Sequence, residues 1–317
     1  MSGLRYAVLG AGAMGSVFGA RLHLAGFQVE LLNRRPDHSR AIRQKGLLAN
    51  IDGVSHRLDI AAGMVDDARV ADVIILFTKS YQIETALENL PKSLQSAHVM
   101  ALQNGLGNGD RVAAIVGEDK AIHGVTMMPG EYIQHGEVAS SDAAETWFYH
   151  VSGQSSGIVD RIGKEFNQAG IRSTVTADIN RFIWQKTCFN IAMNALCGLT
   201  QGSPGLLHQY PDGQALAHEL ADEAIAVATA SSVTVDADKV HNLIDFACAN
   251  HTWHRPSMLQ DLTLGRLTEI DSLNGYLVNK ARSLNIDIPL NRTLTRLIKL
   301  RESSATFWTN QPATTQH

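Results

Sequence analysis

The sequence predicts two domains of different class: an α/β domain over residues 1–176 and an all-α domain over residues 177–317. Three observations carry that expectation. Short apolar runs alternate with longer amphipathic ones through the first half, the pattern of parallel strands joined by helices. A Gly10-x-Gly12-x-x-Gly15 turn follows the first of those runs and opens a helix. Strand signals then vanish after about residue 177, and only helical spacing continues. A chain of 317 residues suits two domains and can bury a large core without covalent staples.

Taken in order, strands are expected at 6–10 (YAVLG), 29–33 (VELLN), 73–78 (VIILFT), 99–104 (VMALQN) and 121–127 (AIHGVTM). Helical patterns such as 14–25 and 83–90 separate the first four. Residues 130–152 read as an antiparallel hairpin addition, and 155–170 as a helix with a serine cap and a glycine stop. The join between domains falls near 175–179. Beyond it, 182–196, 212–230, 237–251 and 269–285 carry helical spacing, while the polar, aperiodic tail 306–317 is expected to fray.

Composition narrows the function classes. The formal charge of −4 gives no reason to expect a nucleic-acid or anionic-membrane partner. No apolar run is long enough to span a bilayer. The three cysteines (Cys188, Cys197, Cys248) form no C-x-x-C and read as buried packing thiols. His251 and His254 lack a third ligand at metal spacing, so no metal is expected. The strand pattern begins almost at residue 1 and leaves no room for a leader, which predicts a cytoplasmic protein.

In the glycine-rich segment, the first glycine makes the tight turn. The second lets the backbone approach a pyrophosphate, and the third allows close helix–strand packing. A helix N-terminus facing the anion completes a Rossmann dinucleotide site. Gly10, Gly12, Ala13, Met14 and Gly15 are the expected contacts. At the end of the second strand, Arg34 stands where an NAD enzyme ordinarily has an acid for the ribose 2′-hydroxyl, and Arg35 is beside it. An arginine there suits a 2′-phosphate, which favours NADP. Glu30 is the competing acid, but it falls inside the strand.

The helix FIWQKTCFNIAMNAL (182–196) has the apolar content of a buried helix, yet carries Lys186, Asn190 and Asn194 at four-residue spacing. That spacing places them on one face. Lysine on a helix is ordinarily solvent-facing with a snorkelling stem. Here its neighbours Trp184, Phe189, Ile191 and Met193 are apolar, so a buried polar stripe awaiting a ligand is the rival reading.

Five motifs in order make the chain resemble the ketopantoate reductases: GAGAMG at 10–15, FTKSYQ at 77–82, LQNGLGN at 102–108, WQKTCFNIAMNAL at 184–196 and SMLQDLTLGRLTEIDSLNG at 257–275. The resemblance implies NADPH-dependent reduction of 2-dehydropantoate to pantoate, on a Rossmann domain joined to a helical one. Lys186 matches the family's catalytic acid and Glu269 its active-site glutamate. Asn104 matches an asparagine that contacts substrate and cofactor, and Ser257 a serine that holds the substrate carboxylate; for Lys79, at the end of the third strand, the resemblance implies a cofactor or substrate contact. Asn190 and Asn194 would bind the substrate's polar groups. The ligand is then a small 2-keto acid, and a homodimer is compatible. One departure concerns 135–152, where the sequence lacks glycines common in relatives and leaves the identity of the keto acid open. A reductase of another keto or hydroxy acid, or a non-catalytic dinucleotide sensor, are the alternatives.

Overall fold

The computed structural model describes residues 3–141 and 144–309. Its chain divides into two compact units, one of residues 1–103 and 107–179, the other of 104–106 and 180–317.

The first unit carries all the strands among the described residues: β1 (Arg5–Leu9), β2 (Gln28–Asn33), β3 (Leu47–Ile51), β4 (Val54–Leu58), β5 (Ala61–Met64), β6 (Val73–Leu76), β7 (His98–Ala101), β8 (Ala121–Thr126), β9 (Glu131–Gln134), β10 (Glu137–Ser140), β11 (Thr146–His150) and β12 (Ser173–Val175). Its helices are α1 (Ala13–Leu24), α2 (Pro36–Lys45), α3 (Ile83–Glu88), α4 (Asn108–Val116) and α5 (Gly157–Gln168). The main sheet runs β12-β11-β8-β7-β6-β1-β2-β5 and is parallel except that β11 opposes β8. β6 (VIIL) is buried at every position, as expected of a strand covered on both faces. β1 and β6 pair in register from Tyr6 with Val73 to Leu9 with Leu76, so their carboxyl ends finish level.

The stretch 36–72 holds four elements that drew no expectation: α2, β3, β4 and β5. β3 and β4 form a hairpin around Asp52 (φ 52°) and Gly53 (φ 82°), consecutive positive φ values of the kind a tight hairpin turn requires. The expected hairpin at 130–152 is corrected in part. β9 and β10 do pair antiparallel, but they join β3 and β4 in a separate sheet of order β4-β3-β10-β9, whereas β11 belongs to the main sheet. In α5, Ser156 holds the N-cap position, but its hydroxyl makes no cap bond; Gly170 (φ 70°) follows the helix as the glycine stop.

The second unit contains α6 (Ile179–Thr200), α7 (Pro204–Gln209), α8 (Pro211–Ala230), α9 (Ala237–Asn250), α10 (Ser257–Thr263), α11 (Asn274–Ser283) and α12 (Pro289–Thr309). Ile191, Leu196, Leu220, Ile244, Leu277 and Ile298 bring α6, α8, α9, α11 and α12 into one core. Residues 306–309 continue α12 rather than fraying, and 310–317 lie outside the described residues. Among the described residues no helix is long and apolar enough to cross a membrane.

Candidate active site

The glycine-rich turn is shaped by contacts that admit no side chain. Gly10 has φ 90°, and a Cβ there would lie 2.5 Å from the Thr78 nitrogen. A Cβ on Gly15 would lie 2.5 Å from the Gly10 carbonyl oxygen. Gly12 differs, because nothing lies within 4 Å of where its Cβ would be. Its bare backbone therefore faces open space at the start of α1, where Ala13 and Met14 hold the first helical positions and their N–H groups have no intrahelical acceptor. The turn is held from below by bonds from the Gly10 and Ala11 N–H groups to the Leu32 carbonyl, at 3.0 and 3.3 Å. Such a cradle fits a dinucleotide pyrophosphate.

β2 ends at Asn33, whose amide donates to Ser39 Oγ at 3.2 Å. Arg34 and Arg35 follow and are exposed. The Glu30 carboxylate accepts the Arg69 backbone N–H at 2.8 Å, which ties it to the loop before β6. Lys79 is half-buried and precedes a single 3-10 turn, Ser80–Gln82, after β6.

In the second unit the structure gathers Asn104, Lys186, Asn190, Asn194, Ser257 and Glu269. Asn190 and Asn194 lie on the same face of α6 as Lys186 and are both buried. Lys186 Nζ donates to Asn104 Oδ1 at 2.9 Å. Lys186 is half-buried as a residue; burial pushes its pKa from the ordinary 10.5 down to about 8, and the Glu269 carboxylate acts in the opposite sense. The Ser257 hydroxyl donates to Asn194 Oδ1 at 3.3 Å.

Asn104 follows β7 by three residues, and three features dock its segment onto the helical unit. The Leu106 N–H donates to the Ser272 carbonyl at 2.9 Å, and Leu106 is buried in the helical core. Gly105 has φ 100°, and a Cβ on it would stand 2.5 Å from that same carbonyl oxygen. The expected boundary at 176/177 does not include this excursion, which depends on a contact between residues far apart in the chain.

One local expectation is corrected. Glu269 does not sit on a helix. It precedes the 3-10 turn Ile270–Ser272, and α11 begins only at Asn274, after Leu273 breaks the path at φ −104°, ψ −105°. The turn is closed by bonds from the Ser272 and Leu273 N–H groups to the Glu269 carbonyl, at 3.1 and 3.2 Å. Ser257 is the first residue of α10, with Pro256 at the N-cap position. Asp271 pairs with Lys299 at 2.5 Å, and exposed Arg255 donates to Thr263 Oγ1 at 3.0 Å. Burial pushes the thiols of Cys188, Cys197 and Cys248 up to about 12, 12 and 11, the condition of inert packing residues.

Two family models cover most of the chain. "Ketopantoate reductase PanE/ApbA" matches residues 6–153, and its C-terminal counterpart matches 178–302. A 2-dehydropantoate 2-reductase of Halobacterium salinarum is 31% identical over 302 residues, covering 94% of this chain and 99% of that protein. The chain belongs to the ketopantoate reductase family. That family consists of oxidoreductases acting on CH–OH groups. Among solved structures, a ketopantoate reductase of Ralstonia eutropha is 28% identical with a TM-score of 0.87, covering 96% of this chain and all of that one. A D-mandelate dehydrogenase, solved with NADH and anilino(oxo)acetate, is 27% identical with a TM-score of 0.88 over the same shares.

Proposed function

We propose that this ketopantoate reductase relative reduces 2-dehydropantoate to pantoate with NADPH, a step that supplies coenzyme A synthesis. The observation that carries the reading is the Lys186–Asn104 hydrogen bond, with a lysine whose pKa is drawn down to about 8. The bound nicotinamide supplies the hydride. Charge would develop on the oxygen of a carbonyl being reduced; the Lys186 ammonium would stabilise it and donate the proton that makes the hydroxyl. Asn104 holds the ammonium in place. The Glu269 charge favours the protonated lysine and is proposed to accept the substrate's hydroxyl. Asn190, Asn194 and Ser257 are proposed to bind the remaining polar groups, Ser257 on the carboxylate side.

For the cofactor, Gly10, Gly12, Ala13, Met14 and Gly15 would hold the pyrophosphate, with Lys79 and Asn104 as further contacts. Arg34, exposed just past the end of β2, is proposed to bind the 2′-phosphate. Glu30 falls inside β2 and binds the Arg69 N–H, whereas Arg34 stands just past the strand end, which supports NADP.

A second reading has a specific observation behind it. The structural likeness to a D-mandelate dehydrogenase matches that to the Ralstonia eutropha ketopantoate reductase, so another 2-keto acid on the same machinery is the rival. Loss of NADPH absorbance with ketopantoate, benzoylformate and a panel of aliphatic 2-keto acids decides between them, with NADH as control. Fast turnover of ketopantoate with NADPH supports the main reading. Turnover of an aryl keto acid alone supports the rival, and preference for NADH would overturn the role given to Arg34.

A further inference from the structure

Next to Asn104 stands a residue that none of the roles above uses. Gln103 is 7% exposed, and its side-chain oxygen Oε1 has no hydrogen-bond partner. The other end of the amide, Nε2, donates to Thr78 Oγ1 at 3.4 Å. Buried polar groups are paired in the great majority of cases, so an orphaned acceptor asks for a donor that arrives from outside the fold.

The position indicates which donor. Thr78 lies against the glycine-rich turn, its nitrogen 2.5 Å from where a Gly10 Cβ would be. Gln103 therefore sits at the carboxyl edge of the sheet, two residues past the end of β7. Strand order places β2 and β5 on one side of β1, with β6 and β7 on the other. In a sheet of this order a dinucleotide lies across the point of reversal at β1, with its adenosine ribose over β2 and its other half over the opposite strands. Gln103, after β7, is on that opposite side.

We propose that Gln103 is a binding residue for the nicotinamide riboside half of the cofactor, its Oε1 accepting a hydrogen bond from a hydroxyl or the carboxamide N–H of that half. This rests on the dinucleotide reading above and adds a contact to it. It also makes an unusual demand on a substitution. Replacing the amide by an apolar side chain of similar size removes a buried orphan, so the unliganded fold keeps its stability or gains some, while the ligand loses a partner.

The test is Gln103→Leu, measured without turnover. Thermal midpoints of the unliganded proteins are compared, together with dissociation constants from protein fluorescence for NADPH, 2′-phospho-ADP-ribose and 2′-phospho-ADP. The expected result is an unchanged or higher midpoint, 2′-phospho-ADP binding within twofold, and NADPH binding weakened about tenfold. Weakening that extends to 2′-phospho-ADP-ribose assigns the contact to a ribose hydroxyl, and weakening confined to NADPH assigns it to the carboxamide. NADPH binding within twofold of the unaltered protein would overturn the proposal. Equal weakening of all three ligands, or a lowered midpoint, would also overturn it by showing that Gln103 only braces Thr78. An unaltered protein that binds none of the three would bring down the cofactor reading itself, and this contact with it.

Discussion

At the residue scale, the proposed chemistry turns on how the protein holds one proton. A lysine with a pKa near 8 remains roughly nine-tenths protonated at pH 7, yet gives up its proton more readily than an exposed lysine would. Reduction needs the protonated form, so turnover at saturating substrate is expected to hold below about pH 8 and fall as pH rises through it. Oxidation of the hydroxy acid needs the neutral amine and is expected to show the mirror profile. Lys186→Ala should lower kcat by roughly two to four powers of ten, the scale of general acid catalysis; near-normal turnover would remove the lysine from the mechanism. Glu269→Gln gives a test with a sign. The carboxylate raises the lysine's pKa, so its neutralisation should move the alkaline limb of the rate profile to lower pH. A limb that stays put would leave Glu269 with no electrostatic hold on Lys186.

At the scale of elements, the candidate residues stand on pieces whose legibility differs for physical reasons. The α6 stripe could be read because helical spacing alone puts Lys186, Asn190 and Asn194 on one face. The glycine turn could be read because the spacing of its three glycines follows a strand and opens a helix: Gly10 and Gly15 have no room for a side chain, and Gly12 leaves bare backbone facing open space. The attachment of Asn104 to the helical unit could not, because it depends on Gly105 meeting the Ser272 carbonyl, and no local pattern encodes that pairing. Nor could the departure of Glu269 from its helix, since the periodic spacing of 269–285 runs unbroken through the turn that Leu273 makes. Asp52–Gly53 is the opposite case, a strong turn signal flanked by strands in which Asn50, Ser55, His56 and Arg57 interrupt the apolar run. The Gly105 contact makes its own prediction. Alanine there must adopt φ 100° and would press on the carbonyl, so Gly105→Ala should cost about 1–3 kcal/mol in unfolding free energy. Displaced Asn104 would no longer steady Lys186, and kcat should drop as well. Combined with Lys186→Ala, the loss in kcat should be much less than the sum of the two, since both act on one hydrogen bond. Additive losses would mean that Asn104 works independently of the lysine.

At the scale of the whole molecule, acid stability depends on buried histidines of the sheet unit. His38 is buried between three partners: its Nδ1 accepts the Gly136 N–H at 3.0 Å and lies 3.0 Å from the Tyr132 hydroxyl, while Nε2 lies 3.1 Å from Ser16 Oγ. Burial first, and then the neighbouring His135, push its pKa down to about 4. A proton on Nδ1 would displace the Gly136 bond, which agrees with that direction. His123, in β8, is likewise held near 4, chiefly by burial. In the unfolded chain both return to the ordinary 6.5 or so. Between about 6.5 and 4 the unfolded state therefore binds more protons than the native one. Stability is fully present above that window and is lost as pH falls through it, by at most about 1.4 kcal/mol per pH unit for each histidine. Thermal midpoints measured from pH 7.5 to 4.5 should fall in that range. His38→Gln should be less stable at pH 7.5 but lose stability less steeply on acidification, whereas two parallel curves would place the acid sensitivity elsewhere. The same network reaches the glycine-rich turn, because Ser16 Oγ also donates to the Ala11 carbonyl at 3.2 Å. A proton added at Nδ1 leaves the Nε2–H bond to Ser16 in place, so dinucleotide affinity in the unaltered protein should hold on acidification until the fold itself begins to be lost.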